Sequence, residues 1–266
     1  MKETKDIMER QLNKIFKILE RYDEHEYPEI VQCLNAFLGD TNPKDLNRYL
    51  LLADILKDLD VSKKLPGLVV SLIVSIYEKS ISEDSNVNAM NNLGSFYYNG
   101  RSSGRANYKL ALEYYSMADE AGEFLASENI GYMYYFGLGV EKNYEMAYKY
   151  FAKAAIGGRY EATYMIGDMY RYGQYVDANP KMVFYCYEKA IGLILKDNEV
   201  ENKCIGSVYY RMGDAFYEGI GTEVNLINAL DCYLRAENGL YRQIIGGDIY
   251  NNDKIDYVIG WQQALD

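Results

Sequence analysis

Gly137-Leu138-Gly139, at the end of the run Tyr134-Tyr135-Phe136-Gly137-Leu138-Gly139-Val140, has the spacing that begins a phosphate-cradling loop. Such a loop needs a strand feeding a glycine-rich turn into a helix N-terminus, with further glycines or a Lys-Ser/Thr pair. Here the preceding residues read as a helix, and neither a third glycine at the right offset nor Lys-Ser/Thr follows. The single histidine, His25, lies in the polar run Tyr22-Asp23-Glu24-His25-Glu26, which suits an exposed loop or helix end. One imidazole leaves little for His-based metal binding or acid–base catalysis. Cys33, Cys186, Cys204 and Cys232 form no C-x-x-C and suggest no pairing, which fits a reducing, intracellular compartment. Carboxylates are plentiful, but no pair is singled out by an apolar neighbourhood. The residues therefore predict no catalytic set, no metal and no cofactor.

The elements behind these residues are helical. The chain has 266 residues, 29 of them tyrosine, against one tryptophan and four prolines, and so few prolines suit a mostly helical chain. Its net charge of −11 argues against nucleic acid, whose phosphates call for a clustered basic surface. The first residues carry charges every few positions and no apolar leader. The longest apolar run, Leu68 to Ile76, is too short for a bilayer core of about 30 Å, so it predicts a buried helix and no membrane insertion. A cytoplasmic location is the expectation.

One segment recurs four times. Asn129-Ile130-Gly131-Tyr132-Met133-Tyr134-Tyr135-Phe136-Gly137 is echoed from Asn92 to Gly100, from Met165 to Gly173 and from Arg211 to Gly219. The first glycines, Gly94, Gly131, Gly167 and Gly213, are followed three residues on by Tyr97, Tyr134, Tyr170 and Phe216, which are expected in the core. A second helix follows each copy, with Ala147, Phe151 and Ala154 at i, i+4 and i+7. Its equivalents are Ala111, Tyr115, Ala118, then Val183, Tyr187, Ala190, then Ala229, Tyr233, Ala236. A glycine inside a helix costs roughly 1 kcal/mol against alanine, so its recurrence implies a close helix–helix approach. The second helices are expected to end at Gly122, Gly157-Gly158 and Gly239, and an insertion lies near 192–204. Cys186 and Cys232 share a repeat position with Tyr114 and Tyr150, which predicts packing rather than nucleophilic roles.

This unit resembles the Sel-one-like repeat (SLR) family, relatives of the tetratricopeptide repeats, whose pattern is L-G-x-x-Y-x-x-G-x-G-V followed by a K-A-x-x-Y/W-[YF]-x-K-A-A helix. Residues 126–161 match it almost throughout, and the units at 89–125, 162–206 and 207–240 less closely: Gly173-Gln174-Tyr175 lacks the second loop glycine. The resemblance implies an all-α right-handed superhelix. Around the four units, 44–88 reads as a degenerate leading repeat announced by Thr41-Asn42-Pro43-Lys44. Residues 1–43 read as a helical cap, and 241–266 as a truncated fifth repeat.

The resemblance also implies a non-enzymatic adaptor, often bacterial, that holds a peptide or helix of another protein in a concave groove. Carrying over the concave positions of the related repeats gives Asn91, Ser95, Tyr98 and Asn99 in the first unit, and Glu128, Tyr132, Tyr135 and Phe136 in the second. The third supplies Tyr164, Asp168, Arg171 and Tyr172, and the fourth Tyr210, Asp214, Tyr217 and Glu218. Half of the sixteen are aromatic, and four acids face one base, which predicts a partner segment with basic and aliphatic residues. Replacing Tyr135 and Arg171 by alanine is expected to abolish binding without loss of stability. Two other readings stand beside this one. A homo-oligomer would dock through Ile249, Ile255, Val258, Ile259 and Trp261, and an enzyme would need a site in the N-terminal 60 residues.

Overall fold

The computed structural model describes residues 13–18, 20–21, 28–39, 46–58, 66–101, 104–196 and 205–245. The described residues are helices and the turns that join them. They form two compact units, residues 1–126 and 127–266. In the first unit, helical residues 13–18 are followed by α1 (Pro28–Gly39), α2 (Leu46–Asp58), α3 (Gly67–Asp84), α4 (Val87–Tyr98) and α5 (Tyr108–Glu120). Helix α6 (Phe124–Phe136) carries the boundary between the units. The second unit continues with α7 (Tyr144–Ile156), α8 (Tyr160–Tyr172), α9 (Pro180–Lys196), α10 (Ile205–Glu218) and α11 (Leu226–Ile245).

The apolar run Leu68–Ile76 lies in α3, where Val69, Leu72, Ile73 and Ile76 are buried against Leu52, Leu56, Leu93 and Phe96. Among the described residues no helix is long and apolar enough to cross a membrane. The four second helices start alike: Asn107, Asn143, Asn179 and Asn225 each accept, through Oδ1, the backbone N–H three residues on. Each such cap is worth about 1 kcal/mol.

Every recurrent glycine faces the aromatic of the second helix in its own repeat. A Cβ on Gly94, Gly131, Gly167 or Gly213 would lie 2.6–2.7 Å from the ring of Tyr115, Phe151, Tyr187 or Tyr233. The aromatic, rather than the flanking alanines, fills the space the glycine leaves. The trios Ala111/Tyr115/Ala118, Ala147/Phe151/Ala154, Val183/Tyr187/Ala190 and Ala229/Tyr233/Ala236 are all buried. Burying one such ring stabilises the fold by roughly 1.5–3 kcal/mol.

Two expectations need correction. The deeply buried residues of the first helices are Phe96, Met133, Met169 and Ala215, whereas Tyr97, Tyr134, Tyr170 and Phe216 are half-buried. A helix turns about 100° per residue, so the next position falls at the edge of the core. The edge rings pair there instead: Tyr97 stacks on Tyr114, Tyr134 on Tyr150, and Phe216 meets Phe184 edge-on. Second, α11 does not end at Gly239 but runs through it to Ile245. That glycine serves contact, since a Cβ would lie 2.6 Å from the backbone of Gly206 on α10. The sequence Thr41–Lys44 and the proposed fifth repeat beyond Ile245 lie outside the described residues.

Candidate functional site

Gly137 and Gly139 take φ of +74° and +72° in the turn between α6 and α7, a backbone geometry suited to glycine. The loop joins two packed helices and follows a helix rather than a strand. Among the described residues no cluster of His, Cys, Asp and Glu is arranged to hold a metal. Burial pushes the thiols of Cys186 and Cys232 up to about 11, which leaves them protonated and poorly nucleophilic.

What stands out is the surface built by the first helices of the second unit, α6, α8 and α10. Its charges are joined across successive helices. Asp168 on α8 takes a bidentate contact from Arg211 on α10, with Nε and Nη2 at 2.7–2.9 Å. The Tyr187 hydroxyl donates to the same carboxylate at 2.7 Å, and Arg211 also donates to the Ser207 carbonyl. In the reverse direction, Arg171 on α8 donates to Asp214 on α10 at 3.1 Å and reaches Glu218 at 3.1–3.2 Å. Tyr233 donates to Asp214 at 2.9 Å. Burial pushes the Asp214 carboxyl up, against the pull of Tyr233 and Arg171.

Between α6 and α8 the link is different. Glu128 is buried and accepts two bonds from Arg159, at 2.9 and 3.2 Å, and one from the Ala162 backbone N–H. Arg159 also donates to Glu161 at 3.1 Å. Burial first, then the Glu161 carboxylate, push Glu128 up to about 8, and the Arg159 hydrogen bonds oppose them. The Tyr132 and Tyr164 hydroxyls meet at 3.4 Å, and the Arg211 guanidinium lies 4.6 Å from the centre of the Tyr164 ring.

The sixteen predicted positions therefore divide. Asn91, Glu128, Tyr164, Asp168 and Asp214 are buried, and Arg171 is tied to two carboxylates. Replacing Arg171 would strip those partners, so the expected Tyr135/Arg171 variant does not leave stability untouched. Ser95, Tyr98, Tyr132, Tyr135, Tyr210 and Tyr217 are half-buried, with Tyr98 edge-on to Tyr108 and Tyr132 stacked on Phe136. Asn99, Phe136, Tyr172 and Glu218 are exposed, and Asn99 donates to the Ser95 hydroxyl. Phe136 is 58% exposed and Tyr172 63%, at the same repeat position on α6 and α8. Rings of Tyr132 and Tyr135 brace Phe136 from two sides, at 6.2 and 4.9 Å.

The sequence reading missed Arg159, Glu161 and Arg211. With them, four acids against one base become five against three, so part of the acid excess is answered within the protein. A signal was present for one pair: Asp168 and Arg211 flank equivalent glycines, but the insertion after α9 disguises their register.

The family profile of the Sel1 repeat matches residues 87–122, 125–158, 161–193 and 207–238, together just over half the chain. Comparison with curated proteins found no match. Among solved structures, a Sel1 repeat protein from Oxalobacter formigenes is 17% identical with a TM-score of 0.61, over 88% of this chain and 94% of its own. A protective antigen of uropathogenic Escherichia coli with an SLR fold is 18% identical, with a TM-score of 0.56 over 88% of this chain. This chain spans about half of that antigen, 53% of its length. These likenesses bear on the fold, and they carry the all-α arrangement of Sel1-type hairpins.

Proposed function

We propose that this chain, which belongs to the Sel1 repeat family, is a scaffold that binds a segment of another protein on the surface formed by α6, α8 and α10. Sel1 repeats generally mediate protein–protein contacts, and their fold is typically a non-enzymatic scaffold. One observation carries the choice of surface: Phe136 and Tyr172 stand exposed at equivalent positions beside a network of ion pairs that holds the helices in register. Large aromatic rings give contact area at little cost in rotamer freedom, and rings already braced by neighbours lose less still. The partner is a peptide or helix whose aliphatic residues cover these rings. A basic residue on it would approach Glu218, whose carboxylate is half exposed. The setting proposed is a bacterial cytoplasm, a reading supported by the bacterial origin of the similar solved structures.

Affinity purification from the native cell, with wild type beside a Phe136→Ala/Tyr172→Ala variant, tests this. Proteins retained by wild type and lost from a variant of unchanged melting temperature support the surface. The same set retained by both would place binding elsewhere.

A further inference from the structure

Phe136, Tyr172 and Glu218 are the last residues of α6, α8 and α10, and each lies five residues past the recurrent glycine of its repeat. All three are exposed, so the second unit carries a ladder of three rungs in the order aromatic, aromatic, acidic. Each rung is held in place. Tyr132 and Tyr135 brace Phe136, and Arg171 ties the other two rungs together. The Arg171 guanidinium lies 5.8 Å from the centre of the Tyr172 ring and donates to both Glu218 oxygens. That bridge puts the carboxylate within about 10 Å of the ring centre, close to the spacing of about 8–10 Å between packed helices. Repeat equivalence sets a like step from Phe136 to Tyr172.

Backbones differ in how often they return a side chain to one face. A strand does so at about 7 or 13 Å, on either side of the rung spacing. A polyproline II segment has three residues per turn, so i, i+3 and i+6 share a face at steps of about 9 Å. An α-helix comes close only at i+7, about 10.5 Å, and lays a rod about 10 Å thick on a single row of side chains. We infer that the ladder takes a proline-rich segment in the polyproline II conformation. Its apolar residues at i and i+3 cover Phe136 and Tyr172, and a Lys or Arg at i+6 lies beside Glu218. This rests on the scaffold reading above and narrows its partner to one backbone shape and one order of side chains. The cation is set by charge: Arg171 is shared between Asp214 and Glu218, and the Glu218 side chain is 47% exposed. Prolines hold the segment in shape before it binds, and the braced rings are already in place, so little order is lost on docking.

Fluorescence anisotropy of labelled synthetic peptides on the full chain tests this. The matched peptide has ten residues, all proline except leucine at its second and fifth positions and arginine at its eighth, and is used in forward and reversed order. One of the two is expected to bind about tenfold tighter than a control with arginine between the two leucines. Phe136→Ala and Tyr172→Ala should each weaken it about tenfold at unchanged melting temperature. Glu218→Gln should weaken it less and remove much of its salt dependence. Matched peptides that bind no better than the control overturn the inference, as do matched peptides that bind the Phe136→Ala/Tyr172→Ala variant as well as wild type. A helical peptide with leucines seven residues apart that binds tighter than either also overturns it. If the matched peptides fail while proteins captured from the cell still depend on Phe136 and Tyr172, the polyproline segment falls and the scaffold reading stands.

Discussion

Asp54 in the first unit and Asp168 in the second do the same geometric task with different chemistry. Each takes a hydrogen bond from the tyrosine of the following helix, Tyr77 at 2.5 Å and Tyr187 at 2.7 Å. Each is also reached from the next first helix, at equivalent positions: by the Asn92 amide at 2.8 Å in one case and by the Arg211 guanidinium in the other. Ala53 stands before Asp54 where Gly167 stands before Asp168. The repeat's register can thus be closed by an amide or by an ion pair. The difference is what happens when the link fails: an amide left alone is a modest loss, whereas a guanidinium left without its carboxylate is an uncompensated charge.

That contrast is the largest effect to look for. Asp168→Ala is expected to cost about 3–5 kcal/mol, because Arg211 and Tyr187 both lose their acceptor. Asp54→Ala should cost about 1–3 kcal/mol, the loss of two neutral donors' acceptor. Urea unfolding of the two variants gives both numbers, and equal losses would break the comparison.

Next comes the link between α6 and α8. With Glu128 raised to about 8, the native state keeps a proton that the unfolded chain releases near pH 4.5. The native state then binds more protons between those values, so stability falls as pH rises from 4.5 to 8. Glu128→Gln removes that dependence. The stability difference between wild type and variant should shrink by roughly 1–3 kcal/mol across the window. A difference that stays flat across the window would show that Arg159 keeps Glu128 ionised throughout.

The smallest expected effect is a gain. Tyr175 takes φ of +68° where the flanking repeats place Gly139 and Gly221, at +72° and +74°. Left-handed backbone costs a non-glycine residue about 1 kcal/mol. Tyr175→Gly is expected to stabilise the chain by about 0.5–1 kcal/mol by thermal melting. A loss would mean that the ring's contact with Tyr148, at 5.6 Å, outweighs the backbone strain.

The packing contact between glycine and aromatic was legible because each repeat restates it at fixed spacing, from Gly94 with Tyr115 to Gly213 with Tyr233. The asparagine caps were equally periodic, four residues before Ala111, Ala147, Val183 and Ala229, yet the sequence reading passed over them. Gly239 misled because a glycine at a helix end and one at a crossing look alike until the neighbour, Gly206, is known. The candidate surface was legible as a face but not in its charges. Arg211 reaches Asp168 over 43 residues, through an interval lengthened by the α9 insertion, and no local pattern announces it. Exposure was also hidden: Phe136 and Tyr135 are adjacent aromatics, and only the brace of Tyr144 and Phe151 around Tyr135 separates them.

Phe136 and Tyr172 are the proposed contact with a partner protein. Hydroxyl-radical footprinting of the chain, free and in complex with the protein it captures, addresses it directly. Strong labelling of both rings is expected in the free chain and marked protection in the complex, with the buried Phe96 and Phe151 unlabelled in both states. Unchanged labelling of Phe136 and Tyr172 in a saturated complex would contradict it.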